Sequence, residues 1–200
     1  MQSDDLRLCF VGDSFVNGTN DRNYLGWTGR VSMLARGRGH MLTCYNLGVR
    51  RDTSSEIAAR WESEAQRRLP NPCTPYVVFS YGVNDTTIEG GIRAVAEDVS
   101  VANTRRMLQT ANKLGYRVAL IGPPPIADGQ QNGRTRQLSV AMARVAESEG
   151  VPFLAVFDDL VADPVWMAEV AGGDGAHPGA AGYERFATLV DGWDGWWFRK

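Results

Sequence analysis

The sequence has few of the residues that crosslink a chain or hold a metal. Its three cysteines are an odd number with no C-x-x-C pair, which argues against a disulfide framework and against a thiolate metal site. Cys9 and Cys44 fall inside expected strands, where a small apolar thiol packs well, and Cys73 lies in the loop NPCTP, where exposure is open to it. The two histidines, His40 and His177, are far apart, so no metal and no other cofactor is expected. Long apolar runs are also missing: none approaches the roughly 18 residues of a membrane span. The first residues, MQSDDLRL, lack the basic and apolar regions of a secretory signal, so a cytoplasmic location without stable membrane insertion is expected. Net charge is only -2 and the arginines are scattered, which removes any general reason to expect nucleic acid as a partner.

What is present is the composition of an ordinary globular protein, 44% hydrophobic and 22% charged over 200 residues. A chain of this length forms one domain, here residues 1–200, and buries roughly 70% of the surface its unfolded form exposes. Short apolar runs alternate with helical patterns. Strands are expected at residues 7–11, 41–46, 76–81, 117–121 and 151–157, and helices at 24–36, 53–69, 92–114, 135–149, 164–170 and 178–190. Thr53 or Ser54 is placed to cap the second helix, and the polar stretch ADGQQNGR reads as a mobile rim. Strands separated by helical crossovers imply a three-layer α/β/α fold with a five-stranded parallel sheet in the flavodoxin-like order 2-1-3-4-5. That order opens a crevice between strands one and three, flanked by the loops at Ser14 and Asn84 and approached by the loop at Gly48.

Four short blocks sit at those strand ends. Gly12-Asp13-Ser14 follows strand one, Gly48 follows strand two, Gly82-Val83-Asn84-Asp85 follows strand three, and Asp174-Gly-Ala-His177 precedes the last helix. Pro178 suits the first position of that helix, which puts His177 at its boundary and Asp174 within reach of the imidazole. Together, and in this order, the blocks resemble the GDSL, or SGNH, hydrolase family over nearly the whole chain. The resemblance implies ester hydrolysis, with the family's serine, glycine, asparagine and histidine falling on Ser14, Gly48, Asn84 and His177, and Asp174 as the acid. Two departures stand out: Phe15 replaces the leucine of the family name, and Arg51 stands where many relatives have glycine. The second bears on the substrate rather than on the reaction.

The residue chemistry agrees with that reading. A serine hydroxyl is a weak nucleophile near neutral pH and needs a base, for which His177 is the candidate, with Asp174 fixing its tautomer. The Ser14 and Gly48 N–H groups and the Asn84 carboxamide are the candidate oxyanion donors. Asp13 reads as a loop organiser that accepts backbone N–H bonds. Arg51 is a candidate for the substrate rim, as is Trp166, for which a core position is an equal alternative; Arg22 and Arg50 read as a solvated rim. The C-terminal cluster Trp193, Trp196, Trp197 and Phe198 suits packing against the sheet layer, and a homo-oligomer contact, a sugar or a lipid surface is the alternative. The expected partner is a small-molecule ester of short to medium acyl length, with carbohydrate acetates and lysophospholipids or thioesters as substrate alternatives. A phosphate-binding module on the same fold is disfavoured, because GDSFVNG has neither the G-x-G-x-x-G spacing nor a P-loop lysine. A binding protein without activity would have no use for nucleophile, base and oxyanion donor together.

Overall fold

The computed structural model describes residues 5–199. Five parallel strands form one sheet in the order β2-β1-β3-β6-β7: β1 (Leu6–Gly12), β2 (Leu42–Gly48), β3 (Thr74–Ser80), β6 (Arg117–Ile121) and the two-residue β7 (Phe153–Leu154). Numbered within this sheet alone, the order is the expected 2-1-3-4-5. Strands β4 (Ile88–Glu89) and β5 (Ile92–Arg93) pair separately as a small antiparallel hairpin. The helices are α1 (Ser14–Asn17), α2 (Gly26–Gly37), α3 (Ser54–Arg68), α4 (Glu97–Lys113), α5 (Gly129–Ser148), α6 (Phe157–Ala162), α7 (Pro164–Gly172) and α8 (Ala180–Gly192).

Each strand of a parallel sheet is covered on both sides, so its apolar residues divide by the two-residue period between two cores. Leu8, Phe10, Tyr76, Val78, Ala119 and Ile121 face one layer, where α2, α7 and α8 contribute Trp27, Val31, Trp166, Tyr183 and Phe186. Cys9, Val11, Val77, Phe79, Val118 and Leu120 face the other, filled by Ile57 and Trp61 of α3, Met107 and Leu108 of α4, and Leu138 and Met142 of α5. Cys73 also belongs to this second core and is buried rather than exposed.

Local chemistry accounts for most element boundaries. Thr53 caps α3 in a full capping box with Glu56, the arrangement that satisfies two otherwise unpaired N–H groups at once. Asp163 accepts from the N–H groups of Val165 and Trp166 at the start of α7, with Pro164 in the first turn. Three expectations are corrected. The helix placed at 92–114 starts only at Glu97, because Gly90 and Gly91 take φ of 59° and 81° and turn the chain into the β4–β5 hairpin; two consecutive left-handed residues are the signature of its tight turn. The stretch ADGQQNGR is no mobile rim: Asp128 accepts from the Gln130 and Gln131 N–H groups at 2.8 and 3.0 Å and so starts α5 at Gly129. Pro178 lies outside α8, which begins at Ala180 with Gly179 as its cap.

The C-terminal aromatics fold back onto the first core. Trp196 stacks on Phe10 with centroids 6.4 Å apart, and Phe198 packs on Tyr76 at 4.9 Å. Arg38 grips both oxygens of Asp191 at 2.6 Å and reaches the Phe198 carbonyl at 3.3 Å, which pins the tail to α2. Emptying a buried aromatic site costs about 3 to 5 kcal/mol, so Phe198→Ala is expected to lower stability by that amount in urea unfolding. A tail lying loosely on the surface would leave the midpoint unchanged.

Candidate active site

The carboxyl ends of β1, β2 and β3 lie side by side, with Gly12 opposite both Gly48 and Ser80 in the ladder. Immediately after Gly12 the chain turns into the short helix α1, whose first residue is Ser14. Asp13 caps it, its Oδ1 accepting the Phe15 N–H at 3.0 Å, which is the loop-organising part expected of it. The Ser14 N–H, at the first helical position, has no acceptor within the helix.

The last loop of the chain reaches this point from the other side. His177 Nε2 lies 2.7 Å from Ser14 Oγ, and His177 Nδ1 lies 2.7 Å from Asp174 Oδ2. The second carboxylate oxygen of Asp174 accepts the backbone N–H groups of Ala176 and His177 at 3.0 and 2.8 Å. Burial works against its charge, but these hydrogen bonds and the imidazole outweigh it and hold the carboxyl well below the usual carboxylate range. His177 is buried against Phe15, centroids 4.9 Å apart. Because α8 starts after Gly179, its N-terminus is capped across space by Glu169 of α7, which accepts the Gly182 N–H at 2.6 Å. That contact fixes the helix that follows the histidine.

Asn84 stands at the start of a single 3-10 turn after β3, and its Nδ2 donates to the Asp52 carbonyl at 2.9 Å. The loop after β2 is thereby tied to the loop after β3. Asp85, beside it, is buried and accepts the Ser54 N–H at 2.7 Å, anchoring the start of α3.

Two expected site residues fall elsewhere. The Gly48 N–H is not free: it donates to Asn46 Oδ1 at 2.9 Å. Glycine is required there for a different reason, since a Cβ would lie 2.2 Å from the Asn17 nitrogen and 2.7 Å from the Asp13 carbonyl oxygen. Trp166 is fully buried, stacked on Phe15 and donating from Nε1 to the Pro125 carbonyl at 3.0 Å. It backs the wall behind the histidine and forms no part of a rim. Arg51 is exposed, as expected of a rim residue, and holds a φ of 71°, the left-handed conformation that glycine takes at no steric cost.

Sequence reading missed Arg60. From the middle of α3 its Nη2 donates to the carbonyls of Gly12 and Leu47 at 2.9 and 3.0 Å, while Nε meets Asp52 at 2.6 Å and Nη1 meets Glu64 at 2.9 Å. One guanidinium therefore joins the ends of β1 and β2 to the loop that Asn84 also grips. Nothing in the sequence marks it, because an arginine in mid-helix reads as solvated.

Asp13 is the most constrained charge near the serine. It is 1% exposed and its Oδ2 has no hydrogen-bond partner among the described residues. Burial, reinforced by the neighbouring Asp85 and Asp52 carboxylates, pushes its pKa up to about 7. No group of three or more histidine, cysteine or acidic residues among the described residues is arranged to hold a metal ion.

The profile of the GDSL-like Lipase/Acylhydrolase family matches residues 10–185. Among solved structures, the chain is similar to the acetylxylan esterase Axe2 from Geobacillus stearothermophilus, at 21% identity and a TM-score of 0.77, over 92% of this chain and 91% of that one. It is also similar to a lipase/acylhydrolase from Enterococcus faecalis, at 22% identity, a TM-score of 0.69 and coverage of 92% and 93%. A third likeness is to the acetyl xylan esterase AlAXEase, at 17% identity and a TM-score of 0.74, covering 92% of this chain and 97% of that one. At these identities the likeness shows a shared fold. No curated protein sequence matches.

Two measurements check this geometry. Removing the Arg60 fork takes its donor from the Leu47 carbonyl and leaves the Gly12 carbonyl with the Val49 N–H alone, so Arg60→Leu is expected to cost about 1 to 3 kcal/mol in urea unfolding; Arg60→Lys, a single ammonium without the fork, restores only part of it. For Asp13 the folded pKa lies above the unfolded one, so the group's favourable contribution is complete below about pH 4 and is lost as pH rises towards 7. Asp13→Asn is accordingly expected to be more stable than the parent at pH 8 and to lose that advantage at pH 4. A stability difference independent of pH would show that Asp13 titrates alike in the folded and unfolded chain.

Proposed function

Because the chain belongs to the GDSL-like lipase/acylhydrolase family, a family of carboxylic ester hydrolases, we propose that it cleaves esters of short to medium acyl groups through Ser14, His177 and Asp174. The observation that carries this reading is the unbroken hydrogen-bonded line from Ser14 Oγ through both imidazole nitrogens to Asp174.

Ser14 Oγ attacks the acyl carbonyl while His177 Nε2 takes its proton. Asp174 keeps the other imidazole nitrogen protonated, and so keeps Nε2 available as acceptor, and it stabilises the imidazolium that forms. A carboxyl held well below its ordinary pKa range stays ionised for this task. The carbonyl oxygen becomes an oxyanion, for which the Ser14 N–H and the Asn84 carboxamide are the donors; Asn84 has a second Nδ2 proton beyond the one given to Asp52. The intermediate collapses, the ester C–O bond breaks, and the alkoxide leaves with the proton from His177. A water then repeats the sequence on the acyl-serine, His177 taking its proton and returning it to Ser14 as the acid departs.

The acyl group is small and the alcohol hydroxylated in this reading. Two of the similar structures are named for acetyl esters of xylan, in line with that choice over lysophospholipids and thioesters.

A series of p-nitrophenyl esters from acetate to palmitate tests the reading. Activity is expected to be greatest for the short esters and to vanish in Ser14→Ala; equal activity in Ser14→Ala would remove the serine from the chemistry. Losing one oxyanion donor costs roughly a hundredfold or more in kcat, so Asn84→Ala is expected to show that loss with an unchanged far-ultraviolet circular dichroism spectrum. Unchanged turnover would take Asn84 out of the oxyanion site.

A further inference from the structure

Tyr24 is 94% exposed, the most exposed of the large hydrophobic side chains, and its φ is 56°. A bulky residue in the left-handed region costs on the order of 1 kcal/mol, and such strain persists only where the surroundings enforce it. Here they do. Gly18 and Gly26 close the neck of the loop, the Cα of Gly26 lying 2.8 Å from where a Cβ on Gly18 would stand. Inside the loop the buried carboxylate of Asp21 accepts the N–H groups of Asn23, Leu25 and Gly26 at 3.0, 3.3 and 2.8 Å and pairs with Arg30, while its carbonyl accepts the Tyr24 N–H at 2.9 Å. The result is a rigid Ω-type loop that holds an aromatic ring in solvent.

Tyr24 lines a groove of about 500 Å³ together with Asn17, Asn20, Arg22 and Arg50. The groove begins at Asn17, the last residue of the short helix that Ser14 opens. The Gly18 and Thr19 N–H groups both donate to the Ser14 carbonyl at 3.0 and 3.1 Å. Its far wall comes from the loop after β2, which Asn17 touches through the Gly48 carbonyl at 3.5 Å. One exposed aromatic face, two carboxamides and two guanidinium groups suit a hydroxylated ring: the apolar C–H face lies on the tyrosine while the hydroxyls exchange hydrogen bonds with the amides and arginines. We propose that this groove is the subsite for the alcohol part of the ester, that this part is a pyranose sugar, and that Tyr24 is the platform on which the sugar stacks. The assignment rests on the esterase reading above and names the substrate class of that site.

The test compares a sugar ester, mono-O-acetylated methyl β-D-xylopyranoside with its other hydroxyls free, with a ring-free ester, ethyl acetate, in the parent, Tyr24→Ala and Tyr24→Trp. An aromatic contact of this kind is worth about three- to tenfold in binding. The ratio of kcat/KM for the sugar ester to that for ethyl acetate is expected to fall by that factor in Tyr24→Ala, through KM, and to be kept in Tyr24→Trp. An unchanged ratio in Tyr24→Ala overturns the proposal, as does a Tyr24-independent preference for phosphate-bearing esters that is lost in Arg22→Ala and Arg50→Ala. Saturation-transfer NMR titration of the same sugar ester on the Ser14→Ala protein reads binding without turnover, and its Kd is expected to rise about three- to tenfold when Tyr24→Ala is added. If the parent hydrolyses neither ester, the esterase reading fails and the NMR experiment still decides the groove. If ethyl acetate is cleaved but the Kd from NMR is unchanged by the loss of Tyr24, the groove assignment alone fails.

Discussion

The close approach of two strand ends governs this molecule. At the carboxyl edge of the sheet, the end of β2 lies against the turn that follows β1 so tightly that Gly48 has room for a hydrogen and nothing larger. Its N–H and the neighbouring carbonyls are consumed locally, by Asn46 and by the Arg60 fork. Backbone groups at a strand end must be satisfied once they are buried, and here a single partly buried arginine donates to two of them while also holding Asp52, the Val49 N–H sharing the Gly12 carbonyl. With that edge rigid, α1 can be only one turn long and still present Ser14 at a fixed position.

The remainder of the site is brought to this edge by connections of very different length. Asn84 arrives directly from the adjacent strand β3. His177 arrives from 163 residues away along the chain, carried by a loop between α7 and α8 that is itself held at both sides. Asp174 organises the loop from within by accepting two of its N–H groups, and Glu169 holds the following helix from outside. The aromatic wall of Phe15, Trp166 and Phe186 lies behind the imidazole. A hydrogen-bonded histidine packed against rings has little freedom to rotate.

Charge is managed in two opposite ways within a few residues. Asp174, partly open to solvent and surrounded by donors, is kept ionised; Asp13, enclosed and half-satisfied, is pushed towards its neutral form. Asp21 shows a third solution, a fully buried carboxylate kept charged by Arg30 and three backbone donors, and it shapes the loop that carries Tyr24.

The sheet topology and the positions of Ser14, Asn84, Asp174 and His177 near strand and helix ends could be read from the chain, because they depend on local patterns. Four apolar residues before a glycine make a doubly covered strand, Thr53 and Glu56 make a helix start, and crossovers of helical length make the sheet parallel. The Gly90-Gly91 turn and the Asp128 cap were equally local and could have been recognised by the same chemistry. What only the tertiary structure decided are contacts between segments that no spacing relates. Arg60 looks like any surface arginine until two strand ends lie beneath it, Trp166 could be rim or core until Phe15 and Pro125 close around it, and the Gly48 N–H looks free until Asn46 bends back to take it. Hydrogen bonds and packing of this kind are set by distance in space, and distance in space is known only once the sheet has brought its strand ends together.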